Sequence, residues 1–522
     1  MRPRPRRASS APRGYGGYNG LAMQASTRDG PAEVAGGSAA ATPAPTAGQR
    51  LWRAFCRLAV RVFYRRFEIA GSARIAADGP LILCANHVNA LVDAVVVQAA
   101  CSRPLHPLAR SGLFRRPLLR PILRLIQAVP IYRRRADDDA RASAGNDASF
   151  SRLFDYLRQA RTLLIFPEGQ SHSDPSLRPI KTGAARIALG AWRDHGRLPQ
   201  VLPVGLIFTR KGRFRGDVLV QVGEPVVLDM PPPALALAAS DAAAERTWVL
   251  RATEAISRGL FAVTLNVESW EDVALLGLVR RFAAFRGAHH ARRDRPRPSL
   301  ARRYRAFQRL YEAHRWLRVR DPERVAALRT KLRRFERLCR RYGVQDYHLN
   351  LRYRPVLVLH FLLRTLAFAV LVFPLALWGW IHSAVAYLLT RELSKRAARG
   401  RDQYDSASML FGLPCFTLLW GAQTAAVWHW LGLPAAIAYA SSLPFTAAVA
   451  LWLGRERRRI VENVRVFFLF VRQRRVRDYL HQERSEVETE LARLATVAKK
   501  AVAITEPAAT AMPQPARGGG WP

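Results

Sequence analysis

The residues best suited to chemistry lie in the run NHVNALVD, where Asn86 and His87 are followed by Asp93. An imidazole can take a proton from an alcohol near neutral pH. A carboxylate bonded to its second nitrogen fixes the tautomer and stabilises the imidazolium that forms. Six residues of ideal helix turn about 600°, which leaves the two side chains about 120° apart, so one regular helix cannot present both. They converge if His87 stands on a turn leaving a strand and Asp93 lies in the helix beyond it, with Asn89 available to cap it. The apolar run LILCA, residues 81–85, provides a strand directly upstream. A loop histidine beside a helix cap is the plain alternative.

A second block, FPEGQSHSDPSLRPIKTGAARIAL (166–189), comes directly after the apolar run TLLIF (162–166). Pro167 and Gly169 make a turn that presents Glu168 at the C-terminal end of a strand, where α/β sheets bind ligands. His172, Arg178 and Lys181 bring positive charge close by. The third block, ARSGLFRRPLLRPILRLIQAVPIYRRR, sets Arg110 and Ser111 before an amphipathic segment and Arg133 and Arg134 after a short strand. Guanidinium forks at such positions suit a phosphate ester.

The elements around these blocks read as an α/β domain, with short apolar runs alternating with helical segments between about 72 and 227. Strands are predicted at 81–85, 129–132, 162–166, 201–208 and 217–223, and helices after Asn89, at 150–160 and at 182–193. Pro203 argues that 201–208 is an edge strand or starts irregularly. The last two strands, VLPVGLIF and DVLVQVG, are read as core strands closing the site wall.

Composition narrows the partners. The 522 residues carry a net charge of +43, and only six of the 82 cationic residues are lysines. Exchange of Lys for Arg cannot create net charge, so the excess calls for an anionic partner, either nucleic acid or an anionic membrane face. Apolar residues make up 49%, which excludes wholesale disorder, and a mean hydropathy of −0.07 excludes a chain that is mostly membrane. Cys56, Cys84, Cys101, Cys339 and Cys415 form no CxxC pair and no zinc spacing, so they read as reduced packing thiols.

These patterns divide the chain into seven segments. Residues 1–48 read as a disordered basic tail, with an organelle transit peptide as the alternative. Residues 49–71 read as an amphipathic membrane-interface helix or as an ordinary helix packed on the domain. The α/β domain occupies 72–235 and a basic helical region 236–355. Membrane hairpins occupy 356–454, a polar helix 455–500, and a disordered tail 501–522. Each apolar stretch, 356–390 and 409–453, exceeds the roughly 20 residues of one span. Interruptions at Pro374 and Gly379, and at Gly432 and Pro434, suggest hairpins; a shallow re-entrant first hairpin fits equally. Two hairpins keep all three flanking basic stretches on the cytoplasmic side, with the catalytic domain.

In order and spacing these blocks resemble the PlsC-like glycerophospholipid acyltransferase family, in its glycerol-3-phosphate/dihydroxyacetone-phosphate acyltransferase branch. NHVNALVD is similar to the longer form of the family's His…Asp block, and FPEGQSHSDPSLRPIKTGAA to the branch's FPEG block. The chain departs from the commoner FPEG-x-R-S pattern, with Ser171 and His172 where an arginine is usual. The resemblance covers about 51–227. It implies an α/β acyltransferase domain, a mixed sheet flanked by helices, with the basic helices and hairpins C-terminal to it. It also implies His87 as general base, Asp93 as its orienter, Glu168 and Gly169 positioning the glycerol part, and Arg133 and Lys181 on the phosphate. Asn86, Arg110, Ser111 and His172 complete the implied substrate-binding set. No metal and no cofactor are implied beyond acyl-CoA or acyl-carrier protein as co-substrate; the partners are a phospholipid membrane and glycerol 3-phosphate or a lysophospholipid.

Two other functions stand beside this one. A lysophosphatidate or other lysophospholipid acyltransferase would use the same base. A non-catalytic binder of nucleic acid or anionic lipid would need only the charge. No zinc-finger spacing, RRM aromatic motif or basic-zipper array is present, so nucleic acid is not the expected partner.

Overall fold

The structure is a computed structural model and describes residues 42–505, apart from 118, 133–138, 210, 213, 237–240, 290–297, 346–347, 350–354 and 399. Arg133 and most of both predicted tails lie outside the described residues. The α/β half begins with α1 (Ala47–Phe63) and β1 (Tyr64–Ala70). It continues through β2 (Leu81–Ala85), α2 (Leu91–Ala100), β3 (Leu105–Arg110), α3 (Arg120–Leu125), β4 (Val129–Ile131), α4 (Asp139–Arg158), β5 (Thr162–Ile165), α5 (Gly183–His195), β6 (Gln200–Phe208) and β7 (Gly216–Val222).

These seven strands form one sheet in the order β1-β7-β6-β2-β5-β3-β4. Only β6 and β7 are antiparallel; all other pairs are parallel. The middle strand, β2, is buried over all five residues because helices cover both faces of the sheet. Leu81, Leu83 and Ala85 meet Cys56, Val60 and Val96 on one face. Ile82 and Cys84 meet Leu153, Leu163 and Ile187 on the other. Burying each large aliphatic side chain contributes about 1.5–3 kcal/mol, which makes β2 a rigid mount for the loop at its C-terminal end.

Two local expectations change. Residues 49–71 are not one helix, because the helical period of Cys56, Val60 and Phe63 ends at Tyr64. From there Phe67 and Ile69 face the core while Arg65 bonds Asp217 of β7 at 3.0 Å. α1 packs on α2 through the core yet exposes Leu51, Leu58 and Val62. Pro203 lies in an inner strand, opposite Cys84 of β2. Gln200 donates toward β2, to Pro80, so alternate residues face that side and the missing Pro203 N–H falls on the other. There the β7 ladder stops at Val204↔Val222.

The rest is helical: α6 (Ala242–Val263), α7 (Trp270–His289), α8 (Leu300–Arg320), α9 (Pro322–Tyr342), α10 (Pro355–Ala397), α11 (Arg401–Arg472) and α12 (Arg474–Thr505). α6 completes the core under β6 through Ile256 and Leu260. α7, α9, the end of α11 and α12 share a second core around Leu332, Phe335, Val466 and Leu480. Much of the arginine in α8 and α9 is paired within this bundle, Arg318 with Glu268, Arg324 with Glu490 and Arg334 with Glu483.

Among the described residues, α10 and α11 contain the two stretches long and apolar enough to cross a membrane, and their large apolar side chains are largely exposed. Pro374 and Gly379 both lie inside α10; Phe368 meets Trp452 beyond Gly432 and Thr390 lies beside Gly412 before it, with His382 bonded to both arms of α11. One proline removes a single backbone bond, which a long apolar helix tolerates. Gly379 serves contact instead, since a Cβ there would fall 2.1 Å from the Thr446 carbonyl oxygen of α11. α11 breaks at Gly432, where φ is 82°. The Tyr439 hydroxyl reaches Gln423 Oε1 at 3.1 Å, although sixteen residues of straight helix span about 24 Å, so the chain bends back sharply at that glycine.

Gly205 of β6 marks the tightest approach of helix to sheet: a Cβ there would come 1.9 Å from the Val263 carbonyl oxygen of α6. Gly205→Ala is therefore expected to cost about 2 kcal/mol or more, read as a lowered unfolding midpoint, whereas an unchanged midpoint would mean that α6 is free to move.

Candidate active site

His87 and Glu168 stand three residues beyond Cys84 and Ile165, which are paired in register on the neighbouring parallel strands β2 and β5. That register brings the two motifs together at the C-terminal edge of the sheet, the place where open α/β sheets bind ligands. Arg110 ends β3, the next parallel strand.

His87 Nδ1 lies 2.9 Å from Asp93 Oδ2. The same carboxylate oxygen accepts the backbone N–H groups of Val88 at 2.8 Å and Asn89 at 2.7 Å. A carboxylate oxygen only accepts here, so the imidazole proton sits on Nδ1 and the lone pair on Nε2. The ring stacks on Phe166 with centroids 4.2 Å apart and keeps 19% of its side-chain surface exposed, while the Asp93 side chain is fully buried. A half-open imidazole backed by a buried carboxylate is able to accept a proton from a bound hydroxyl.

The pairing works because the loop is not helical. Ala90, the residue before α2, has φ 47° and ψ −123°, a conformation rare for a side chain with a Cβ. This curls residues 87–89 back over the first turn of α2, where Asp93 waits. Asn89 does not cap the helix with its side chain, contrary to expectation; its amide nitrogen points away and donates to Asp405.

Glu168 holds the histidine from its backbone. One carboxylate oxygen accepts the His87 N–H at 2.6 Å; the other accepts from His172 Nε2 and from the Arg178 N–H at 3.1 Å. Asp174 N–H donates to His172 Nδ1, which leaves the His172 proton on Nε2, facing Glu168. His172 N–H in turn donates to His87 O at 3.1 Å. Both Glu168 and His172 are buried, so neither forms the cationic or glycerol-contacting rim that their sequence positions suggested. Asn86 likewise turns into the sheet, its amide engaging both the N–H and the carbonyl of Leu206 on β6.

The exposed positive groups are others. Arg110 Nη2 lies 3.5 Å from Gly169 O, and the Lys181 ammonium lies across Gly169, where a Cβ would come within 2.9 Å of Nζ. Gly169 itself needs its φ of 73°. Ser111 opens the short turn after Arg110 and is half-buried. Arg178 is bound to Asp174 at 2.5 Å, which holds that carboxyl below its usual range. The thiols take no part: burial pushes Cys56 and Cys84 up to about 12. Among the described residues no three His, Cys, Asp or Glu side chains are placed to share a metal ion.

Residues 66–207, which carry His87, Asp93, Arg110, Glu168, His172 and Lys181, match the family described as Acyltransferase. The chain carries an acyltransferase-family domain. Glycerol-3-phosphate O-acyltransferase 1 of Saccharomyces cerevisiae is 26% identical over 262 residues, 49% of this chain and 33% of that protein. Glycerol-3-phosphate O-acyltransferase 2 of the same yeast is 34% identical over 137 residues, 26% of this chain and 18% of that protein. The chain thus spans about a third or less of the length of these relatives. The solved structure of the 1-acyl-sn-glycerophosphate acyltransferase PlsC from Thermotoga maritima is 22% identical, over 41% of this chain and 78% of that one, with a TM-score of 0.29, a likeness too weak to carry weight.

Reading the acyltransferase domain from sequence missed Asp402, Asp405, Ser406 and Lys211, which close the back of the His87 loop. Their signal was the acidic run DQYDS in an otherwise basic connector between two apolar stretches.

Glu168 satisfies three donors, His172 buried and the His87 and Arg178 N–H groups half-buried. Losing their acceptor costs about 1–3 kcal/mol for each that water cannot reach. Glu168→Ala is expected to lower stability by about 3 kcal/mol or more, seen as a fall in the denaturation midpoint; a wild-type midpoint would mark Glu168 as a substrate contact instead.

Proposed function

We propose that this chain is a membrane-bound O-acyltransferase that moves a fatty acyl group from a thioester, acyl-CoA or acyl-carrier protein, to a hydroxyl of glycerol 3-phosphate in phospholipid synthesis. The observation that carries the reading is the His87–Asp93 pair at 2.9 Å, with Nε2 as the acceptor edge. Arg110 and Lys181 meeting at Gly169 support a phosphorylated acceptor. The activity named for the two yeast relatives supports glycerol 3-phosphate as that acceptor.

The steps balance without a metal. His87 Nε2 takes the proton from the acceptor hydroxyl as its oxygen attacks the thioester carbonyl carbon. Asp93, bonded at Nδ1–H, stabilises the imidazolium. The tetrahedral intermediate collapses, the C–S bond breaks, and the departing thiolate takes the proton from Nε2. General-base help contributes about 10²–10⁴-fold, and positioning of the phosphate supplies further rate. In place of the glycerol and phosphate contacts read from sequence, Glu168 and His172 hold the His87 backbone, and Asn86 fixes the loop to β6.

α10 and α11 anchor the chain in the bilayer, and the basic stretches at their ends favour the cytoplasmic side for the catalytic domain. The outer face of α1, with Leu51, Leu58 and Val62 among exposed arginines, suits the interface of the same membrane.

His87→Ala should lower kcat by about 10²–10⁴-fold while the protein stays in washed membranes; wild-type thioester consumption by this variant would overturn the assignment. With purified enzyme, glycerol 3-phosphate should be acylated in preference to lysophosphatidate, and consumption of lysophosphatidate alone would move the reading to a lysophospholipid acyltransferase. Reversing exposed charges on α8 and α9, Arg305, Arg309 and Lys331 to Glu, should weaken co-sedimentation with anionic vesicles by about fivefold per residue. Turnover of detergent-dispersed substrate should change far less, and unaltered vesicle binding would remove these helices from the membrane contact.

A further inference from the structure

The polar contacts around Asn89 come from a distant part of the chain. Asp405 Oδ2 accepts from Asn89 Nδ2 at 2.8 Å and from the Gly212 N–H at 3.1 Å. Ser406 Oγ donates to Asn89 O at 2.7 Å and accepts the Val92 N–H at 3.1 Å. Asp402 Oδ2 accepts from Ser171 Oγ at 2.5 Å, in the loop just after Glu168. Asp402, Asp405 and Ser406 all belong to the first turns of α11, more than 300 positions from the His87 loop. Asn89, Asp93, Asp405 and Ser406 are all buried. Lys211 lies among the same acids and donates to His172 O and Ser173 Oγ. Burial pulls its ammonium below the ordinary lysine range, against the pull of Asp93, Asp402, Asp405 and Asp174.

Docking α11 on the domain could be achieved by apolar contact alone, and Met409 and Leu410 supply such contact against the sheet core and the α3 cluster. Burying the Asp405 carboxylate and the Ser406 hydroxyl beside them adds a desolvation cost that packing does not need. The polar atoms converge on one residue. Asn89 gives its side-chain N–H to Asp405 and its carbonyl to Ser406, while its backbone N–H goes to Asp93 Oδ2. Asn89 is thus clamped from behind at the point where it helps fix the oxygen that orients His87.

We propose that Asp405 and Ser406 are positioning residues for the His87–Asp93 pair. The start of α11 sets the catalytic loop through Asn89, and the site is complete only when the apolar helix pair is docked on the domain. In its activity arm this inference rests on the acyl-transfer reading above. Detaching or tilting α11 would release Asn89 first, free residues 88–92 to leave their unusual turn, and let Asp93 Oδ2 lose the geometry that holds the His87 ring.

The test uses the full chain in detergent or nanodiscs, comparing wild type, Asp405→Ala, Asp405→Asn, Ser406→Ala and His87→Ala. Two readouts are needed: kcat and KM for glycerol 3-phosphate, and amide hydrogen exchange of residues 88–92. Asp405→Ala should lower kcat by about 10- to 100-fold with KM changed less than about twofold, since misplacement of the base acts on the chemical step. It should also speed exchange at Val88, Asn89 and Val92 while α5 and β6 keep their protection. Asp405→Asn retains an oxygen able to accept from Asn89 and should recover most of the loss. Wild-type kcat in Asp405→Ala, or an equal loss in both Asp405 variants with 88–92 still protected, would overturn the proposal. If His87→Ala itself turns over normally, the acyl-transfer reading fails. The exchange of 88–92 in Asp405→Ala then decides alone: faster exchange keeps the clamp, and unchanged exchange removes it.

Discussion

Everything at this site depends on one carboxylate oxygen. Asp93 Oδ2 collects the His87 ring N–H and the Val88 and Asn89 backbone N–H groups, all within 2.9 Å. Three donors aimed at one acceptor fix its position, the tautomer of the histidine and the course of the loop between them. The two residues are six apart, a spacing that a regular helix would splay by about 120°. The solution is a turn at Ala90 with φ 47°. Such a backbone costs on the order of 1–3 kcal/mol. Charge-assisted hydrogen bonds of about 1.5–3 kcal/mol each are enough to offset it. The strain and the carboxylate imply one another, because without Asp93 the turn has nothing to hold it, and without the turn the imidazole has no partner.

The second constraint is the parallel pairing of β2 with β5. In-register strands carry their C-terminal loops side by side, so two motifs 81 residues apart meet through the His87 N–H and a Glu168 oxygen. His172 then returns a bond to the His87 carbonyl. The catalytic candidate is thus gripped by its side chain from one acid and by its backbone from another. This division explains why the FPEG glutamate is buried: its carboxylate serves the loop, and the exposed charges lie instead around Gly169.

How much was legible in the sequence depended on how local each signal was. Fully apolar runs such as LILCA and TLLI announced the buried strands. The His…Asp spacing already demanded a strand, a turn and a helix, which is the arrangement found. β1 was hidden because YRRFEIA continues an arginine-rich amphipathic helix without a break in composition. β3 was hidden because His106 and Pro107 interrupt its apolar pattern, although burial moves His106 down to about 4 and its ring nitrogen finds Ile126 O. Pro374 and Gly432 looked alike as interrupters, yet Pro374 stays within helical backbone while Gly432 takes a positive φ. The start of α11 could not be placed from sequence at all, since no periodicity or spacing relates Asp405 to Asn89 across 316 residues.

The charge of the chain acquires a division of labour from this arrangement. A net +43 with buried acids at its catalytic centre looks paradoxical until the acids are traced to their partners. Asp93, Glu168 and Asp405 all accept backbone N–H groups; Lys211 lies half-buried among them, while Arg110 and Lys181 stay at the rim. Pairing a buried acid with a buried base brings little net stability, because the desolvation of both opposes their attraction. A backbone amide asks for no such desolvation of a second charge and cannot swing away on a flexible stem. Acids bonded to the main chain therefore shape the loop, while Arg110 and Lys181 keep their charges exposed beside Gly169.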